Sequence, residues 1–264
     1  MIRAKLEGVL SSLGPVTIAV SGGVDSMTLA IVANRLLGAD TVNVGHAVSP
    51  AVQPEATERV RLWADREGWA LLTLDAGEFG DRNYLDNPVN RCFFCKGHLY
   101  GAIARVSERQ ILSGANMDDL GEYRPGLDAA REVGVRHPYV EAEIDKASIR
   151  ALARELGLGD LAELPASPCL SSRVETAIAI EPAMLIAIHA VEKLVGARLQ
   201  PQTVRCRVRH TGVVVELDQP ALAAADGDRE LRAAITALLP GTLAARPVRF
   251  EAYRKGSAFV GATS

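Results

Sequence analysis

Six consecutive residues, Ser21-Gly22-Gly23-Val24-Asp25-Ser26, follow an apolar run and open a helical stretch. In that setting Gly22 and Gly23 let the backbone approach phosphate oxygens, the first turn of the helix presents unpaired N–H groups, and Ser21 and Ser26 add hydroxyl donors. The loop lacks the Lys of a Walker A motif. A cradle without that point charge at the γ-phosphate suits chemistry that breaks the chain at the α-phosphate and expels pyrophosphate, so ATP is the expected ligand. A Gly-rich turn with no ligand is the alternative.

Further residues with chemical potential are spread along the chain. Asp118 and Asp119 could hold Mg²⁺ on a triphosphate, or form an acidic pair favoured by a helix N-terminus, and Asp25 has the same two readings. Cys92 and Cys95 have redox or metal-ligand spacing at a helix start, where thiol pKa values fall. Two thiols do not complete a metal site, and Cys169, in Pro168-Cys169-Leu170-Ser171-Ser172-Arg173, is the candidate third, with Arg173 as a neighbouring positive charge. Cys206 lies between Arg205 and Arg207 and reads as structural. Arg205, Arg207 and Arg209 alternate along a strand and share one face, as an oxyanion site or as the charged guard of an edge strand.

The elements that must position these groups are legible in the hydrophobic pattern. Apolar runs at 16–20, 41–47, 70–74, 110–113 and 135–140 alternate with helical patterns near 25–37, 54–68, 95–108, 126–133 and 146–156. That order predicts an α/β fold, a doubly wound parallel sheet whose ligands sit beyond the carboxyl ends of the strands. His46 follows the second run, Gly114-Ala115-Asn116 leads from the fourth into the acid pair, and Arg124 follows shortly after. Pro165 and Pro168 break the pattern, placing a boundary between residues 1–164 and a smaller α+β domain at 165–264. The smaller domain is expected to hold a helix around 181–196, strands near 203–209 and 212–217, a helix around 228–239 and a strand near 247–254.

Apolar residues make up 48% of the 264, and no apolar run approaches the roughly 20 residues of a membrane span. The opening Met1–Glu7 reads as an amphipathic helix rather than a signal peptide, and four cysteines are too few for a disulfide scaffold, so a cytoplasmic, reducing setting is expected. Net charge is −3; residues 1–168 carry 17 Lys and Arg against 23 Asp and Glu, and 169–264 carry 12 against 9. That modest basic excess does not call for a nucleic-acid partner.

In combination these segments resemble the PP-loop ATP pyrophosphatases and, within them, the LarE family of ATP-dependent sulfur transferases of nickel-pincer cofactor biosynthesis. The resemblance covers Ser21–Ser26, Asn90-Arg91-Cys92-Phe93-Phe94-Cys95-Lys96, the block from Gly114 through Tyr123-Arg124-Pro125-Gly126 to Lys146, and Pro165 to Cys169-Leu170 with Ser172-Arg173. It implies an adenine nucleotide alpha hydrolase-like fold and a homo-oligomer. It implies ATP contacts from Ser21, Gly22, Gly23, Asp25, Ser26, His46, Arg91, Gly114, Asn116, Asp118 and Arg124. The reaction it implies is adenylation of a carboxylate on a pyridinium dicarboxylate mononucleotide and conversion to a thiocarboxylate. Cys169, Ser172, Arg173 and Glu192 would be catalytic, and Arg207 and Arg209 would hold substrate phosphate or carboxylate. Sulfur would come from Cys169 itself, leaving dehydroalanine, or from sulfide on a [4Fe–4S] cluster held by Cys92, Cys95 and Cys169. Val174-Glu175-Thr176 stands where family members commonly carry Pro-Tyr-Gly. Amidating or tRNA-thiolating members of the superfamily, and a nucleotide sensor without turnover, are the competing readings.

Overall fold

A computed structural model describes residues 2–121 and 123–258. Along the chain run α1 (Ile2–Ser11), β1 (Val16–Ala19), α2 (Val24–Leu37), β2 (Val42–Ala47), α3 (Pro54–Glu67), β3 (Ala70–Leu74), α4 (Arg82–Leu85), α5 (Arg91–Val106) and β4 (Gln110–Ser113). They continue with α6 (Pro125–Glu132), α7 (Pro138–Glu141), α8 (Lys146–Glu155), α9 (Gly159–Ala162), α10 (Pro182–Leu199), β5 (Val204–Arg209), β6 (Gly212–Leu217), α11 (Gln219–Ala225), α12 (Arg229–Leu238) and β7 (Val248–Ala252). No helix among the described residues is long and apolar enough to cross a membrane.

The chain folds as two compact units. Of the described residues, the first takes those up to Asp81 and Asn90–Ser167; the second takes Arg82–Val89 and residues 168–258. The first is an α/β unit around a four-stranded, all-parallel sheet of order β3-β2-β1-β4. β1 is buried on both faces, whereas edge strand β3 leaves Ala70 and Thr73 exposed. Val16 and Ile18 join Val42, Val44 and Leu112 against residues of α1, α2, α3 and α8, whereas Ala19 and Ile111 point the other way, onto Tyr100 and Ile103 of α5 and Ala130 of α6. The period of two thus assigns alternate residues of one strand to two cores.

The run at 135–140 is the exception to the predicted strands. Arg136 pairs with Leu112 only as an isolated parallel bridge, and Pro138, which lacks an N–H and has a helix-compatible φ, begins α7.

The second unit carries a three-stranded sheet of order β5-β6-β7, antiparallel then parallel. Cys206, Val208, Val213, Val215 and Leu217 are buried, and α10 packs against β5. The register sets Arg205 opposite Glu216 and Glu216 opposite Glu251, so the arginines of β5 and the acids of β6 and β7 lie on one face.

Candidate active-site residues

Chain punctuation builds the loop between β1 and α2. Gly22 sits at φ 79°, and a Cβ there would lie 2.8 Å from the Ala56 carbonyl oxygen, so only glycine takes this turn without strain. Gly23 is the N-cap residue of α2 and brings no capping side chain, which leaves the first-turn N–H groups for an external acceptor. The loop is held from behind. Arg59 Nη1 donates to the Gly22 carbonyl at 2.8 Å, the Ser21 N–H donates to Ser26 Oγ at 3.1 Å, and Ser26 Oγ donates to the Gly23 carbonyl at 3.3 Å. Gly114, after β4, packs so tightly on the start of α2 that a Cβ would fall 2.8 Å from the Ser26 nitrogen. The loops after β1 and β4 therefore meet backbone to backbone.

Acidic and basic groups gather at this meeting point. Lys146 Nζ pairs with Asp25 Oδ2 at 2.9 Å, and the Lys146 backbone N–H donates to Asp118 Oδ2 at 3.1 Å. Asp25 Oδ1 is buried with no hydrogen-bond partner, while the hydroxyl of the fully buried Tyr139 donates to the Asp25 backbone carbonyl at 3.1 Å. Burial first, and the Asp25 charge second, push the Tyr139 pKa well above its usual value, which keeps it a donor. Asp119 is more fully engaged: Oδ1 pairs with Arg124 at 3.0 Å and Oδ2 accepts the Asn116 N–H at 3.1 Å. Buried Asn116 accepts the Asp118 N–H at 3.0 Å, which folds the 116–119 turn. For a cation on a triphosphate, Asp25 Oδ1 is a donor left open, a buried carboxylate oxygen of the type Mg²⁺ takes. Lys146 and Tyr139 carried no chemical signal in the sequence beyond their places at a helix start and in an apolar run.

His46 is almost wholly buried at the end of β2, and both its ring nitrogens are engaged. Nδ1 lies 3.0 Å from the Val20 carbonyl and Nε2 2.9 Å from Thr57 Oγ1. The carbonyl can only accept, so the proton sits on Nδ1 and Thr57 donates to Nε2. Burial lowers the His46 pKa, and the neutral ring pins the residue preceding the glycine loop. Arg91, also buried, opens α5 and sets Cys92 and Cys95 in its first two turns, both partly exposed.

In the second unit, exposed Cys169 caps the 3-10 turn Leu170–Arg173. Arg173 points inward. Its Nε and Nη2 reach the two carboxylate oxygens of Glu192 at 3.0 and 3.1 Å, and Nη1 donates to the Cys169 carbonyl and to Ser172 Oγ, each at 3.1 Å. The guanidinium therefore grips the backbone that carries Cys169, and Glu192 balances its charge. Glu192 Oε1 also accepts the Cys206 N–H at 3.0 Å. Burial pushes the Cys206 thiol pKa up, consistent with a structural residue.

Arg207 and Arg209 share one face, as alternation predicts, and have carboxylate partners. Arg207 Nε and Arg209 Nη2 both reach the fully buried Glu216, at 3.0 and 2.6 Å, and Arg209 Nη1 reaches Glu251 at 2.9 Å. Arg207 Nη1 also donates to the Ser172 carbonyl at 3.0 Å, a second anchor on the cysteine loop. An incoming anion would have to share these arginines with Glu216 and Glu251. Burial, then the nearby Arg173, lowers the Arg205 pKa. Within neither unit, among the described residues, do three or more His, Cys, Asp or Glu side chains converge as metal ligands; Cys92 and Cys95 belong to the first unit and Cys169 to the second.

No protein-family model matches the chain. An uncharacterized protein of Synechocystis sp. is 39% identical over 180 residues, 66% of this chain and 66% of its own length. An uncharacterized protein of Methanocaldococcus jannaschii is 26% identical over 164 residues, 61% of each chain. In both cases the match spans just under two thirds of the relative. A pyridinium-3,5-bisthiocarboxylic acid mononucleotide synthase of Lactiplantibacillus plantarum is 29% identical over 221 residues, 82% of this chain and 79% of that one. That match agrees with the resemblance to the LarE family carried by the glycine loop, the Cys-x-x-Cys segment and the Pro-Cys-Leu-Ser-Ser-Arg turn.

Proposed function

We propose that the protein is an ATP-dependent sulfur transferase with a PP-loop fold, adenylating a carboxylate of a pyridinium dicarboxylate mononucleotide and converting it to a thiocarboxylate. The observation that carries this reading is the cradle at the end of β1: uncapped N–H groups of α2, the Asp25–Lys146 pair, and a buried carboxylate oxygen without a partner. Such a site suits a polyphosphate, held by backbone N–H donors, and its cation, held by the carboxylate oxygen. The Ser21–Ser26 loop would take the triphosphate, with Asp25, and Asp118 or Asp119, facing Mg²⁺.

The substrate carboxylate attacks the α-phosphorus, the bond to the β-phosphate oxygen breaks, and pyrophosphate leaves with that electron pair. The acyl-adenylate has AMP as its leaving group in place of hydroxide. The Cys169 thiolate attacks the acyl carbon and expels AMP, forming a thioester. Loss of the Cys169 Cα proton with cleavage of its Cβ–S bond then yields the thiocarboxylate and dehydroalanine. Arg207 and Arg209 would bind the substrate's phosphate or second carboxylate in exchange with Glu216 and Glu251.

The placement of two partly exposed thiols near the start of α5 favours a second sulfur source. Cys92, Cys95 and Cys169 are the three-thiolate set that would hold a [4Fe–4S] cluster, which when bound supplies replaceable sulfide and spares Cys169. An ultraviolet-visible spectrum of anaerobically purified protein separates the two. Broad brown absorbance supports the cluster. A colourless protein whose Cys169 loses one H₂S per turnover supports sacrifice. A colourless protein with unmodified Cys169 after incubation with ATP and acceptor contradicts sulfur transfer.

A further inference from the structure

Cys169 is exposed, yet the turn that carries it is fastened from several directions. Arg173 holds the Cys169 carbonyl and Arg207 holds the Ser172 carbonyl. A third tie comes from Arg82–Val89, which joins the second unit although the chain on either side of it belongs to the first. The Tyr84 hydroxyl and Ser171 Oγ are 2.7 Å apart, and both residues are buried. Asn87, from the same segment, is buried at φ 53° and donates its amide to the carbonyls of Glu175 and Ile178 at 2.9 and 3.0 Å. The Ala177 and Ile180 N–H groups return to the Asn87 and Leu85 carbonyls at 2.9 and 2.8 Å. The segment thus clasps the chain from Ser171 to Ile180.

Leu170–Arg173 are buried and their polar groups need partners in any case, but burial by itself gains nothing from holding the exposed Cys169 thiol at a fixed place. A sulfur that must meet an activated carbonyl does gain, because productive attack requires the reacting atoms to be held within about 3–3.5 Å in a defined direction. We propose that Tyr84 and Ser171 are positioning residues for the Cys169 sulfur, their hydroxyl pair fixing the turn while the thiol stays open to the acceptor. This rests on the sulfur-transfer reading above, and it applies whether the sulfur is that of Cys169 or is borne on a group that Cys169 ligates.

Tyr84→Phe keeps the buried ring and removes only the hydroxyl; Ser171→Ala removes the partner. Each single variant breaks the buried hydroxyl pair and should lower the melting temperature, and the double variant should lose less than the sum of the two single losses. Pyrophosphate release and sulfur incorporation into the pyridinium acceptor are measured separately for each. Positioning predicts roughly ten- to hundredfold slower sulfur incorporation in both singles and in the double variant, with pyrophosphate release unchanged. The proposal is overturned if the double variant regains sulfur incorporation together with its melting temperature, or if the two activities fall in parallel. Absence of acceptor-dependent pyrophosphate release in the wild type would instead bring down the underlying reading, and this inference with it.

Discussion

Arg173 meets both carboxylate oxygens of Glu192 through two guanidinium nitrogens, at 3.0 and 3.1 Å, with the side chains only 1% and 7% exposed. A paired charge at that depth is tolerated because each partner satisfies the other, so removing one leaves an uncompensated buried ion. Glu192→Ala should cost about 3–5 kcal/mol in urea unfolding. Arg173→Lys should fail to restore the wild-type midpoint, since an ammonium cannot reproduce the two-point contact. A midpoint shift below about 1 kcal/mol, the range of exposed pairs, would contradict the buried geometry.

The Asp25–Lys146 pair sits where the glycine loop meets the loop after β4. Asp25→Asn keeps the shape and removes the charge, and should slow pyrophosphate release roughly a hundredfold or more, the range seen when a fixed electrostatic partner of a reacting group is lost. Isotope exchange between pyrophosphate and ATP in the presence of acceptor reads this directly; wild-type exchange in the variant would remove Asp25 from the reaction.

Gly114 allows a separate structural prediction. A methyl group there would meet the Ser26 nitrogen at 2.8 Å, a backbone atom that cannot swing away. Gly114→Ala should therefore weaken nucleotide binding by displacing the start of α2, at a stability cost of about 1–3 kcal/mol. Equilibrium binding of ATP and thermal unfolding measure the two effects, and a variant equal to wild type in both would show that the loops do not touch.

His46 gives the sign of a pH effect. Burial depresses its folded-state pKa below the usual 6.5, so the unfolded chain takes up the proton first as pH falls. The stabilising contribution of the neutral ring is thus complete above about pH 6.5 and is lost as pH drops toward the depressed value. His137, lowered in pKa mainly by burial, acts in the same direction. Between pH 7.5 and 5.5 the stability of wild type should fall more steeply than that of His46→Gln; parallel curves would contradict a buried neutral imidazole.

Much of this was written in local sequence. The continuous apolar runs of β1 to β4 and the glycine loop at 21–26 lie where their pattern predicts, because strand burial and turn chemistry are local properties. The partners of Arg207 and Arg209 were not readable, since Glu216 and Glu251 reach them only through β5–β6–β7 register. The inward turn of Arg173 depends on Glu192, nineteen residues away on α10. Lys146 finds Asp25 across 121 residues, and Arg82–Val89 joins the second unit through contacts with residues beyond 170. Each of these is a long-range pairing that no window of sequence contains.

The most direct test is a single-turnover incubation of the protein with ATP, Mg²⁺ and the pyridinium dicarboxylate mononucleotide, resolved by mass spectrometry of nucleotides and acceptor. The account predicts AMP and pyrophosphate in equal amounts, with one acceptor oxygen replaced by sulfur. ADP with phosphate, or AMP formed without sulfur entering the acceptor, would contradict it.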